Sequence, residues 1–286
     1  MMPWTTLVEV EELALRLDDC LVVDCRHELS DPDAGRRAWL AGRIPGAVFL
    51  HQDEDLAGPV GPHTGRHPLP DPQALRRRLG ELGLGAATQL VAYDDVGGAM
   101  AARLWWLARS IGHSAVAVLD GGLPAWRAAG YPIESGEPAA TRRAPVELGL
   151  REPLAGRVEM EAIERDLARR SLLLVDARTA ERHRGEAEPI DPVAGHIPGA
   201  RNRPLGMNLR PDGRFLPAPV LRQAFSELLQ DHSPDAVVHF CGSGISACHN
   251  LLAMEHAGLH GSLLYPGSWS QWCSDPSRPV ATGEGG

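Results

Sequence analysis

The sequence predicts an α/β protein built from two tandem duplicated domains, each a mainly parallel sheet flanked by helices. Two observations carry this reading. Four sequence blocks recur in the same order in both halves, at an offset of about 150 residues, which is too long a period for a solenoid repeat. Each half also alternates short apolar runs with helical stretches, the pattern of parallel α/β units.

The repeated blocks are easily located. Leu21-Val22-Val23-Asp24-Cys25-Arg26 returns as Leu173-Leu174-Val175-Asp176-Ala177-Arg178, and Gly42-Arg43-Ile44-Pro45-Gly46-Ala47 as Gly195-His196-Ile197-Pro198-Gly199-Ala200. Leu90–Asp95 matches Val237–Gly242, and Asp120–Trp126 matches Pro266–Trp272. In the first half, strands are expected at Leu21–Asp24, Val48–Leu50, Leu90–Tyr93 and Val116–Leu119. Helices are expected at Val8–Leu17, Pro72–Leu82 and Ala99–Ile111. The second half repeats the plan with strands at Leu172–Asp176, Ala236–Phe240 and Ser262–Leu264. Its helices fall at Glu159–Arg169, Ala218–Gln230 and Ala247–Ala257. Glu134 to Arg157 is rich in Pro, Gly and Arg without an apolar period and reads as a linker. The expected division is an N-terminal domain over 1–135, a linker over 136–156 and a C-terminal domain over 157–286.

Composition narrows the function. A chain of 286 residues, 43% hydrophobic and 23% charged, has the make-up of a soluble globular protein. Its net charge of −9, spread along the chain, argues against nucleic acid as a partner, since such binders usually show a basic face. Arg76-Arg77-Arg78 reads as a solvated helix face. No apolar run is long enough to span a bilayer, and no basic region with an apolar stretch marks a signal peptide. Five cysteines, an odd number without a metal-type CxxC pair, fit free thiols in a reducing compartment. A cytoplasmic protein without metal or organic cofactor is expected.

The most informative segment is Val237-Val238-His239-Phe240-Cys241-Gly242-Ser243-Gly244-Ile245-Ser246-Ala247. An apolar strand ends at Cys241, and small residues lead into a helix N-terminus, where N–H groups and the helix dipole favour a thiolate. A buried inert cysteine is the alternative, but a core strand gains nothing from Gly-Ser-Gly. Cys241 is therefore the expected nucleophile. Its counterpart in the first half is Asp94, so one active centre is expected, at the carboxyl end of the second sheet.

At this point the chain resembles the two-domain rhodanese-like sulfurtransferases over nearly its whole length. The resemblance rests on the paired Asp-x-Arg motifs, the Gly-x-Ile-Pro-Gly-Ala turns, the Cys241 loop and the closing Gly-Ser-Trp-Ser-Gln-Trp. The loop looks like the Cys-Gly-Ser-Gly-Val-Thr-Ala of the mercaptopyruvate branch, and it lacks the basic side chains usual in the thiosulfate branch. The resemblance implies that a sulfane sulfur passes from 3-mercaptopyruvate through a Cys241 persulfide to cyanide, a small thiol or a thioredoxin-like protein. Donor contacts are implied for Arg182 and for the loop residues Gly242, Gly244, Ile245, Ser246 and Ala247. The alternative for Arg182 is a surface pair with Glu181 or Glu186, whereas Arg178 is expected to pair internally with a carboxylate. A proton relay of Ser243, His67 and Asp53 is also implied, with His63 competing for the histidine role. Where the mercaptopyruvate branch often carries a second arginine, this chain has Ile190, with Arg201 and Arg203 as nearby substitutes. Cys248 and Cys273 are expected bystanders.

Other functions remain to be separated. A thiosulfate:cyanide sulfurtransferase would share the nucleophile. A Cys-x5-Arg phosphatase would need an arginine where Ala247 stands. A non-enzymatic sulfur-binding module would have little use for the cysteine.

Overall fold

The computed structural model describes residues 2–138, 143–149 and 151–284. Residues 139–142 and 150, within the expected linker, lie outside the described residues. The chain divides into two compact units. One is built from Met1–Gly58, Pro70–Leu154 and Arg210–Phe215; the other from Pro59–Leu69, Ala155–Leu209 and Leu216–Gly286. The segment Pro59–Leu69 therefore packs with the second unit although it comes from the first half of the sequence.

In the first unit the elements run β1 (Leu7–Val8), α1 (Val10–Leu15), β2 (Cys20–Asp24), α2 (Ala34–Ala41), β3 (Val48–Phe49) and α3 (Pro72–Glu81). They continue with β4 (Gln89–Tyr93), α4 (Ala101–Ser110), β5 (Val116–Leu119) and α5 (Gly122–Ala128). The five strands form a parallel sheet in the order β1-β5-β4-β2-β3. Every residue of β2, β4 and β5 is buried, as continuous apolar strands covered on both faces must be. α3 starts where Asp71 accepts hydrogen bonds from the N–H groups of Gln73 and Ala74, with Pro72 at the first helical position.

The second unit repeats the plan with β6 (Gly156–Arg157), α6 (Met160–Asp166), β7 (Leu173–Asp176), α7 (Ala180–Arg184) and β8 (Arg201–Asn202). It ends with α8 (Ala218–Leu229), β9 (Val237–Phe240), α9 (Ala247–His256), β10 (Leu263–Leu264) and α10 (Ser268–Trp272). The sheet order is β6-β10-β9-β7-β8, again all parallel. Its core gathers Ile163, Leu174, Val238, Phe240, Tyr265, Trp269 and Trp272.

The two Asp-x-Arg motifs do the same work in both units. Asp24 and Asp176 are fully buried, and Arg26 and Arg178 bind them at 2.6 and 2.7 Å. The same guanidinium groups donate to the carbonyls of Gly42 and Gly195, at 2.8 and 2.7 Å, and so anchor the Ile-Pro-Gly turns. Arg178 thus pairs internally, as expected.

The structure corrects two boundaries and adds several short elements. Gly156–Arg157, expected in the linker, forms the edge strand β6 and pairs with β10 through its backbone. Val8, expected to open a helix, lies in β1 opposite Leu119. β8 and the short helices α2, α5, α7 and α10 join the expected elements. Among the described residues no helix is long and apolar enough to cross a membrane.

Candidate active site

Cys241 ends β9 and is 2% exposed. Its sulfur accepts the Gly244 N–H at 3.2 Å, so the loop already turns one backbone donor onto it. Gly244 has φ +82°, and a Cβ there would lie 2.4 Å from the Pro266 carbonyl oxygen, so only glycine suits the position. Gly242 is glycine for a different reason. Its backbone is not left-handed, but a Cβ would lie 2.8 Å from Nη2 of Arg66 and 3.5 and 3.6 Å from Nη2 and Nη1 of Arg182. Two guanidinium groups fill the space that a side chain would take.

The closing Gly-Ser-Trp-Ser-Gln-Trp segment clamps this loop. The Cys241 N–H donates to Ser268 Oγ at 3.1 Å, and the Ser268 hydroxyl donates to the Tyr265 carbonyl. The N–H groups of Trp269 and Ser270 donate to the carbonyls of Cys241 and Gly242, each at 2.9 Å. Ser268 is held at φ +52°, a conformation costly for a side-chained residue. At the matching place in the first unit stands Gly122, at φ +55°. Sequence reasoning missed Ser268, although its alignment on a glycine in the repeat was a usable signal.

The loop of the first unit shows what such a turn offers an anion. The Asp94 carboxylate is fully buried and accepts N–H groups from Val96, Gly98, Met100 and Ala101 at 2.8–2.9 Å. The side chain that replaces the cysteine thus fills its own loop with negative charge.

The predicted residues are distributed as follows. His67, buried, places Nδ1 2.7 Å from Ser243 Oγ. His63 is exposed and contributes its carbonyl, which accepts from Gln271. Asp53 lies in the first unit, with its carboxylate 3.9 Å from His27 and its N–H donating to His51 Nδ1. Arg182 does not pair with Glu181 or Glu186; it donates to Glu188 at 2.6 and 3.1 Å and to Asp191 at 3.2 Å. Burial works to raise the Glu188 pKa, but the Arg182 hydrogen bond and backbone donors hold it below the ordinary carboxylate value. At Asp191 burial prevails and the pKa is raised.

Neither substitute for the arginine missing at Ile190 reaches this cluster. Arg201 donates to the Leu228 carbonyl and to Gln230 and lines a cavity of about 480 Å³ shared with Arg170, Arg184 and His232. Arg203 is buried over the Phe225 ring and donates to Asn208; burial lowers its pKa to about 10. Cys248 donates to the Gly244 carbonyl, while burial pushes the thiols of Cys20 and Cys273 up to about 11. Those two stay protonated at neutral pH.

Comparison with known proteins places this arrangement. The model of the rhodanese-like domain matches twice, at residues 9–129 and 159–275. The chain belongs to the rhodanese-like family. Both units are rhodanese domains, each a five-stranded parallel sheet flanked by helices. A Pseudomonas aeruginosa protein named "Probable 3-mercaptopyruvate sulfurtransferase" is 47% identical over 282 residues, covering 97% of this chain and 98% of its own. An Arabidopsis thaliana thiosulfate/3-mercaptopyruvate sulfurtransferase is 30% identical, covering 89% of this chain and 78% of its own. The solved structure of the Leishmania major 3-mercaptopyruvate sulfurtransferase superposes with a TM-score of 0.83 at 32% identity, covering 93% of this chain and 73% of that one. Within the rhodanese-like chain, the Cys241 loop, Ser243 with His67, and the Arg66–Arg182 pair all belong to the second unit.

Proposed function

We propose that this chain is a sulfurtransferase that takes a sulfane sulfur from 3-mercaptopyruvate onto Cys241 and passes it to a thiol or cyanide. The observation that carries this reading is the Cys241 loop itself: a buried sulfur at a strand end, one backbone N–H already on it, and a Ser243–His67 pair beside it. The names of the Pseudomonas, Arabidopsis and Leishmania relatives support it.

The Cys241 thiolate attacks the donor sulfur. A sulfur–sulfur bond forms as the carbon–sulfur bond breaks, and the electron pair of that bond leaves with the pyruvate enolate. The donor thiol proton moves to the enolate carbon, giving pyruvate and a persulfide anion on Cys241. Loop N–H groups from Gly242 to Ala247 hold the outer sulfur, as the first unit's loop holds Asp94. Ser243, bonded to His67, donates to the developing enolate oxygen. An acceptor, whether cyanide, a small thiol or a thioredoxin-like protein, then attacks the outer sulfur and restores the thiolate. The first domain, with Asp94 in place of the nucleophile, is catalytically inactive in this scheme. Five unpaired cysteines favour a reducing compartment, and the cytoplasm is the proposed location.

Thiosulfate is the second donor to test, because the two arginines over Gly242 suit any small anion. Mass spectrometry after incubation with each donor should show about 32 Da added at Cys241, as a covalent intermediate requires. Full turnover by Cys241→Ser would refute the scheme. A kcat/KM favouring thiosulfate over 3-mercaptopyruvate would reassign the donor.

A further inference from the structure

We propose that the cavity at the start of β7 binds a small phosphate ester. Arg170 and Arg201 hold its phosphate, and Leu167, Leu172 and Ala180 cover its organic part. The site is separate from the sulfur chemistry. The cavity meets the sheet where β7 begins, whereas Cys241 follows the end of β9, which runs parallel to β7.

Both units leave a cleft at the same place in the fold. In the first it is lined by Cys20, Leu21, Val22, Pro45, Gly46 and Val48, and in the second by their counterparts in 172–174 and 198–201. The first cleft holds about 190 Å³; Arg143 lies among its lining residues and donates to the Asp18 carbonyl at 2.9 Å. The second widens to about 480 Å³. Two positions of the repeat change to arginine there. Arg170 stands where the first unit has Asp18, and Arg201, opposite Val175, stands where the first unit has Val48, opposite Val23.

Neither arginine is placed by a carboxylate. Arg170 is held at φ +53°, a left-handed conformation that helix ends usually give to glycine and that is costly for a side-chained residue. Its guanidinium lies over the Ile-Pro-Gly turn, where a Cβ on Gly199 would be 3.8 Å from its Nε. Arg201 donates to the Leu228 carbonyl and to Gln230, both neutral acceptors, so it is fixed without being neutralised. The cavity's carboxylates are engaged elsewhere: Asp166 accepts the N–H groups of Ser171 and Leu172, and Glu284 pairs with Arg184. Among the described residues no carboxylate pairs with Arg170 or Arg201, so the cavity keeps an excess of positive charge. A phosphate oxyanion matches that charge and the planar fork of arginine. The volume is that of a small-molecule site, and half-buried apolar side chains beside the arginines leave room for the organic part of an ester.

Isothermal titration calorimetry with AMP and glycerol 3-phosphate tests the site. At least one should bind saturably with a Kd of roughly 1 mM or below. Adenosine and glycerol, which lack the phosphate, should not bind. R201V installs the side chain of Val48, and R170G removes the cation while suiting the left-handed backbone. Each should weaken binding roughly tenfold, the size of one lost charge-assisted hydrogen bond. Thermal unfolding of R170G separates lost binding from lost fold, and R201Q replaces R201V should the latter fail to fold. Absence of binding by both esters overturns the site, and affinity unchanged in either variant overturns the two-arginine grip. Inorganic phosphate should bind more weakly than the ester; equal affinity would overturn the ester and leave a plain anion site.

Discussion

Ser243 Oγ and His67 Nδ1 meet at 2.7 Å across 176 residues of sequence, with Gly242 alone separating Ser243 from Cys241. The hydroxyl can donate to a developing enolate only if its orientation is fixed, and His67 fixes it. Ser243→Ala and His67→Gln should each lower kcat for 3-mercaptopyruvate by about 10²-fold, the usual size of a lost proton-transfer partner. The double variant should be little worse than either single one, because the two act as a unit. Steady-state kinetics of the three proteins check this; fully additive losses would separate the roles.

The loop glycines fail in different ways. Gly244→Ala forces a Cβ to 2.4 Å from the Pro266 carbonyl at φ +82°, so backbone must move; a loss of roughly 3 kcal/mol or more is expected. Gly242→Ala meets only the ends of arginine side chains, which can swing away. It should stay within about 1 kcal/mol of wild type in stability while losing mercaptopyruvate affinity. Chemical denaturation alongside KM measurements separates the two; equal destabilisation would contradict the assignment.

Much of this was legible in the sequence because the central strands are buried on both faces and read as unbroken apolar runs, twice over. β1, β6 and β8, absent from the expected strands, have two residues each and pair through backbone atoms that side-chain patterns do not report. β6 therefore reads as linker in the sequence. Cys241 stands out because a strand ends on it, whereas Arg182 is legible only through the family resemblance. Arg66 could not be read this way. Its place over Gly242 depends on a segment of the first half packing in the second unit, and on Asp191, whose neighbour Ile190 is exposed while Asp191 itself is buried. The reason for a glycine at 242, space for two guanidinium groups, is visible only in three dimensions.

Ser268 holds the Cys241 N–H from a left-handed backbone. Ser268→Gly relieves the conformation and loses the hydroxyl, whereas Ser268→Ala loses the hydroxyl and keeps the strain. Ser268→Ala should therefore be the less stable variant, by about 1 kcal/mol. Thermal unfolding of the pair checks the order, and a more stable alanine variant would show that φ +52° carries no cost here.

Asp94 closes the loop of the first unit on itself. Asp94→Ala strands four backbone donors in a buried place, and a loss of about 3–5 kcal/mol is expected. Asp94→Asn keeps one acceptor oxygen and should cost less. In protein that remains folded at low temperature, persulfide formation at Cys241 should persist in both variants. Its abolition there would assign the first domain a part in the chemistry.

His239 makes acid sensitivity testable at one residue. It lies fully buried in β9, with Nε2 3.1 Å from the Met254 sulfur, and among the described residues Nδ1 has no hydrogen-bond partner. Burial, aided by the nearby Arg203 charge, lowers its pKa from 6.5 to about 3. The unfolded chain therefore takes up a proton near pH 6.5 that the folded chain refuses until about pH 3. Over that interval the unfolded state binds more protons, so folding stability falls as pH falls. His239 accounts for a loss on the order of 2 kcal/mol at pH 5 relative to neutral pH. His239→Leu removes the site and should flatten the stability profile between pH 6.5 and 4 without costing stability at pH 7.5, since a buried polar group is replaced by an apolar one of similar size. Urea denaturation at intervals of pH gives both curves. Parallel acid limbs for the variant and wild type would show that the sensitivity lies in other groups.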